Sequence, residues 1–226
     1  MISSPFLYFW RPAEATRRIR ERPLLWPAFS LSSIAGILAL VLRWPAVLDA
    51  VIRHLPSTAG VEDQEWIRSV LFQDLFLRCT LVPLTTGIKV AGLSSLLFLL
   101  ARFSPSLQLP RFRVLAVLVT HVMLLQATGE ILTHLAGWDT FGTSSPGPPG
   151  VAWLVSLPHN YISVSLIRSL NVLTLWYCTA LAVGLRVLFR GATLRSCLIA
   201  VVAWIVAVLA NLWLIRLMHD ALHLRV

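Results

Sequence analysis

Charge is scarce in this chain. Only 13% of its 226 residues are charged, against about 25% in a soluble globular domain, while 57% are hydrophobic and the mean hydropathy is +0.77. That shortage excludes a surface solvated throughout by water, because the polar groups needed to cover it are missing. Cysteine is nearly absent as well: Cys79, Cys178 and Cys197 are odd in number, show no CxxC spacing and fall in or beside apolar runs. Neither a disulfide framework nor a cysteine zinc site is indicated, and each thiol is expected to pack as a small hydrophobe. There is a single lysine, Lys89, against eighteen arginines. The net charge of +9 is scattered between apolar runs rather than gathered into one face, so no nucleic-acid partner is expected. The chain has no phosphate-binding loop, no dinucleotide fingerprint and no internal repeat.

What the chain does have is long apolar runs. Pro23 to Leu42 is twenty uncharged residues closed by Arg43, which at about 1.5 Å per residue matches a hydrocarbon core roughly 30 Å thick. It is too long for the apolar core of a cleaved signal, which runs to roughly 7–15 residues. Ser196 to Ile215 is a second clean run. Between them, Cys79 to Ala101 is interrupted only by Lys89, and Val114 to Leu135 by Glu130 with His121 and His134. Ser169 to Leu185 lies uncharged between Arg168 and Arg186, whose side chains can snorkel to the interfaces. The expectation is an all-α integral membrane bundle of five transmembrane helices with short interfacial helices. It divides into a basic N-terminal segment 1–22, a five-span domain 23–218 and a short tail 219–226.

Arginine placement orients the bundle. With the N-terminus inside, residues 1–22 and the loops RFSPSLQLPRFR and RVLFRGATLR carry eleven basic residues against two acids, Glu14 and Glu21. The opposite side holds seven arginines and eight acids. Positive-inside sorting therefore places the N-terminus in the cytoplasm and the C-terminus outside, across a cytoplasmic membrane. Residues Pro12 to Arg22 are bracketed as a short helix, since Pro12 suits a first turn and Pro23 pushes Arg22 out of helical geometry. Within it Glu14 and Arg18, and Arg17 and Glu21, stand at pairing distance. Trp10 marks the headgroup level, and Arg11, Arg17, Arg18, Arg20 and Arg22 are expected to meet anionic lipid at about 1 kcal/mol each. The competing reading is an unstructured basic tail. GVEDQEWIRSVLFQ, Gly60 to Gln73, predicts a second interfacial helix outside, with Trp66, Ile67, Val70 and Leu71 on its apolar face. Trp138 to Gly150 reads as a flexible loop.

Ionisable groups within apolar runs are expensive and suggest function. Lys89, His121 and Glu130 are candidates to line a polar pocket between the second and third spans. The plainer alternative is that Lys89 and Glu130 snorkel or pair structurally while His121 bonds a backbone carbonyl. HDALH, His219 to His223, lacks the glutamate base and third ligand of a metalloprotease and reads as solvated tail. Small residues are expected to let helices approach closely: Ala200, Ala203, Ala207 and Ala210 on the last span, Ser32 and Gly36 on the first, Ala180 and Gly184 on the fourth. Asn171 and Asn211 are candidates for interhelical hydrogen bonds.

The entry SPFLYFWRPAEATRRIRERPLLWP, and the stretch SLNVLTLWYCTALAVGLRVLFR with its aromatic Trp176 followed by Gly184, resemble the bacterial branch of the Yip family, membrane proteins named for binding Ypt/Rab GTPases. The resemblance implies a five-helix bundle with a cytosolic N-terminus and, in eukaryotic members, roles in vesicle formation and membrane shaping. The DLYGP and GYGxxP motifs of those members are absent, and the N-terminal domain shrinks to about twenty residues, so the resemblance carries no Rab-binding role. The expected function is non-catalytic membrane organisation or partner binding, without metal or cofactor. Its partners would be anionic lipids together with a membrane protein or a second copy of the chain. The alternative is a small transporter or transporter accessory subunit using the polar residues of the second and third spans.

Overall fold

The structure is a computed structural model that describes residues 6–53, 60–103, 110–136, 171–190 and 193–223, with side chains in the last helix described through Leu209. The described elements are helices: α1 (Leu7–Trp10), α2 (Pro12–Glu21), α3 (Leu25–Arg53), α4 (Val61–Arg102), α5 (Phe112–Leu135), α6 (Val172–Phe189) and α7 (Thr193–His223). Four of them, α3 to α6, are long and apolar enough to cross a membrane, whereas the described apolar part of α7, Thr193–Leu209, is shorter. The outward faces carry large apolar side chains such as Trp26, Ile34, Leu84, Ile88, Leu132, Leu175 and Leu198. This is the inverse of a water-solvated surface and suits a lipid solvent.

α5 is the centre. Leu115, Leu118, Val119 and Val122 are fully buried, and helices α3, α4 and α6 all pack on it. α7 packs on α6 and, less extensively, on α4. The Ser32 hydroxyl donates to the Thr120 carbonyl at 2.9 Å and ties α3 to α5. Gly36 lets α3 approach α4, since a β-carbon there would stand 3.1 Å from Val82 Cγ1. In the last helix Ala200 and Ala203 are fully buried but Ala207 is exposed. The small-residue stripe is therefore covered in its first half alone, and Ala210 falls outside the described side chains.

The N-terminal segment is docked into the bundle. Pro12 opens α2, the Thr16 hydroxyl bonds the Pro12 carbonyl at 2.7 Å, and Ala15, Thr16 and Ile19 form a buried stripe against α6 and α5. α1 carries Tyr8, whose ring is fully buried and whose hydroxyl donates to the Ala180 carbonyl at 2.7 Å. Gly184 makes that socket: a β-carbon on it would lie 2.6 Å from Leu118 Cδ1 and 2.7 Å from Tyr8 Oη. One helical turn after Ala180, a side chain would stand beside the carbonyl that Tyr8 uses. The unstructured-tail alternative is thus excluded. Glu14 pairs with Arg18 and, at 3.5 Å, with Arg11. The Arg18 hydrogen bond, with Arg11 assisting, holds the Glu14 carboxyl below its ordinary value. The expected Arg17–Glu21 pair is not formed among the described residues, and all five arginines of residues 11–22 are exposed.

Three boundaries differ from expectation. The separate outer helix over 60–73 and the span from Cys79 are one continuous α4 of 42 residues, about 63 Å long at 1.5 Å per residue. Pro83 lies inside it; proline is tolerated within helices in lipid because neighbouring helices and hydroxyl side chains satisfy the freed backbone groups. Ile67, Leu71 and Leu75 are half-buried at helical spacing, while Trp66, Phe72 and Phe76 on other faces are exposed. The fourth apolar helix starts at Val172 because Asn171 caps it, its side chain accepting from the Thr174 N–H at 3.0 Å. Asn171 thus has a capping role that its sequence position did not announce. Residues 219–223, read as tail, continue α7. Trp138 to Gly150 and the side chain of Asn211 lie outside the described residues.

Replacing Gly184 by Ala should displace Tyr8 or Leu118 and destabilise the bundle by about 1–3 kcal/mol, with α2 cut faster by trypsin. Gly92→Ala, with nothing within 4 Å of the added carbon, is the neutral comparison. Equal melting temperatures for the two variants in detergent would refute the socket.

Candidate functional site

Apolar helices leave few places where polar side chains converge, and the principal one lies between α3, α4 and α5. It is a cavity of about 210 Å³. Arg43 enters from α3, Thr85, Thr86 and Lys89 from α4, and Gln126 and Glu130 from α5. The α5 contribution follows from helical phase: Met123, Ala127, Glu130 and His134 recur at intervals of three and four residues, and all line the cavity. The Gln126 side-chain amide donates to Glu130 Oε1 at 3.3 Å and orients the carboxylate. Lys89 and Arg43 both act on Glu130 through space, and among the described residues Lys89 and Glu130 form no ion pair within 4.0 Å. Two cations and one carboxylate therefore line the same cavity.

At one end the cavity reaches Ser32, whose hydroxyl bonds the Thr120 carbonyl beside the buried residues Val117 to Val122. Its other end reaches Thr133 and His134, in the last turn of α5. It is an open vestibule, since Thr85, Lys89, Gln126 and Glu130 along its length are exposed. The chemistry it offers is recognition of a small polar group by a cation pair, a carboxylate, an amide and hydroxyls. Among the described residues no group of three metal-ligating side chains occurs.

Of the three residues expected to share this pocket, Lys89 and Glu130 do and His121 does not. His121 is buried with Nδ1 2.8 Å from the Val117 carbonyl, and its ring lies 5.8 Å from that of Tyr8. The physical reason is phase. Nine residues separate His121 from Glu130, about two and a half turns of helix, which puts them on opposite faces. Arg43 was missed because it ends an apolar run and so passes for a boundary marker; α3 instead continues through it to Arg53. Gln126 and Thr133 were findable from their i−4 and i+3 spacing to Glu130. Comparison with models of protein families, with curated proteins and with solved structures finds no match.

Glu130→Gln and Lys89→Met, made singly and together, should show a coupling energy of about 0.5 kcal/mol or more in thermal unfolding, as expected for charges sharing one site. His121→Ala should add independently to either. Strict additivity for Lys89 and Glu130 would separate them functionally.

Proposed function

We propose that the chain is a five-span protein of a bacterial inner membrane, N-terminus inside, resembling the Yip family and acting without catalysis as a membrane-organising or partner-binding component. The observation that carries this reading is the docking of α1 and α2. Tyr8, Ala15 and Ile19 fix the segment on the bundle, so Arg11, Arg17, Arg18, Arg20 and Arg22 are presented as a rigid array and not on a tethered tail. A rigid basic face at the cytoplasmic end meets anionic lipid or an acidic partner without the ordering cost that a flexible segment carries. α7 supplies the fifth span, its helix of 31 residues being about 46 Å long. The exposed Ala207 then lies where a membrane partner or a second copy can approach closely.

The second reading is a transporter or transporter accessory subunit. It is favoured by the vestibule, which brings Arg43, Lys89 and Glu130 together. The Ser32–Thr120 hydrogen bond ties α3 to α5 beside this site, so passage of a solute requires α3 to move on α5.

Two measurements test the proposal. Cysteines placed at Arg17 and Arg111 should label from the cytoplasmic side and one at Gln64 from the other, and a reporter after Val226 should be external; an internal reporter would mean an even number of spans. Crosslinking in native membranes should recover a defined membrane protein or a homo-oligomer. Recovery of monomer alone, with solute uptake abolished by Glu130→Gln, would favour the transporter reading instead.

A further inference from the structure

The end of the bundle that carries α2 holds a second concavity, a groove of about 890 Å³ between α2, α6 and α7. Arg17 and Arg20 reach it from α2, and Arg186 and Arg190 from the last turns of α6. Each pair is three or four residues apart and so shares a helix face. No acid lines the groove among the described residues, and none of the four arginines is in an ion pair. Glu14 of α2 is engaged instead by Arg11 and Arg18. Four like charges held around one groove repel each other, a cost that an anion between them removes. α7 begins at Thr193 on the same rim, and the positive end of its helix dipole adds to the field.

Away from the arginines the groove turns apolar. Leu175, Ala182 and Val183 of α6 face Val201 of α7. From Arg190 back to Leu175 is fifteen residues of α6, about 22 Å, more than the depth of one leaflet, about 15 Å. A free anion would fill only the charged mouth, and an acidic peptide would leave the apolar trough uncovered. A charged mouth joined to an apolar trough matches an amphiphile.

We propose that this groove binds an anionic phospholipid, the phosphate held by Arg17, Arg20, Arg186 and Arg190 and an acyl chain lying between α6 and α7. The assignment rests on the reading above in one respect: the α2 end of the bundle must face a membrane surface. Partner binding is not required.

Cys178 and Cys197 both line the groove, and Cys197 is exposed, which supplies an internal reporter. The full chain carrying Cys79→Ser and Cys178→Ser is placed in nanodiscs of phosphatidylcholine, with or without phosphatidylglycerol, and Cys197 is labelled with a membrane-permeant maleimide. Phosphatidylglycerol should slow labelling roughly fivefold or more, and Arg186→Gln with Arg190→Gln should abolish the protection. Arg102→Gln with Arg113→Gln removes equal charge at the same end and should leave it intact. If the first double variant does not fold, as judged by helical content, Arg17→Gln with Arg20→Gln carries the same test. Equal labelling in the two lipids would overturn the proposal. So would equal protection by inorganic phosphate in neutral discs, which would mark a free-anion site, or protection by an acidic peptide but not by lipid, which would mark a protein partner. Loss of protection in the Arg102/Arg113 variant would reduce the effect to diffuse surface charge and overturn it too. Failure here leaves the co-purification result standing, so the two readings fall separately.

Discussion

A helical segment buried on every side has to be enclosed by its neighbours, and Val114 to Val122 of α5 is such a segment. Its backbone groups are satisfied internally, and in a lipid solvent no hydrophobic force drives other helices onto it, so packing and a few hydrogen bonds must hold them there. Small residues provide the contact. Gly129 on α5 admits Leu173 of α6, a β-carbon on it lying 3.4 Å from Leu173 Cδ1, while Gly184 on α6 admits Leu118 of α5. One glycine from each partner thus sets the α5–α6 spacing at both ends. Ser32 does the same for α3 through a hydrogen bond. The positions of the vestibule and of the arginine groove are both consequences of how α3, α4 and α6 are seated around this core.

Hydropathy and arginine spacing were enough to find the apolar helices and the N-terminal basic helix, because those properties are set by consecutive residues. They were also enough to bring Lys89 and Glu130 together, two charges at comparable depth on adjacent helices. They were not enough for His121, since depth alone ignores the angle at which a side chain leaves its helix. The break expected between the outer helix and the span in α4 failed for a related reason. Charged residues such as Asp74 and Arg78 end an apolar run, but they pair with each other at 2.6 Å along the helix surface and do nothing to end the helix. The role of Tyr8 had no local signal at all, for its partner is 172 residues away, and Gly184 by itself says only that something comes close.

The two concavities lie toward opposite ends of the bundle and differ in kind. At the α5 C-terminus, cations and a carboxylate line a small space beside a hydrogen bond. At the α6 C-terminus, only cations face a larger space that continues into an apolar trough. The first holds a carboxylate among its cations and can stay hydrated. The second has no internal counter-charge among the described residues and depends on its surroundings for one. Such asymmetry gives the two faces of the bundle distinct chemical environments, whatever occupies them.

The Tyr8 socket also imposes an order of events during biogenesis. Translation delivers Tyr8 first, while Leu118, Ala180 and Gly184, which form its berth, follow more than a hundred residues later. Until then the aromatic N-terminal segment has no resting place in the protein and must wait at the membrane surface. Seating of Tyr8 is therefore a terminal step that follows helix assembly, and it acts as a latch whose closure reports that α5 and α6 have met in register.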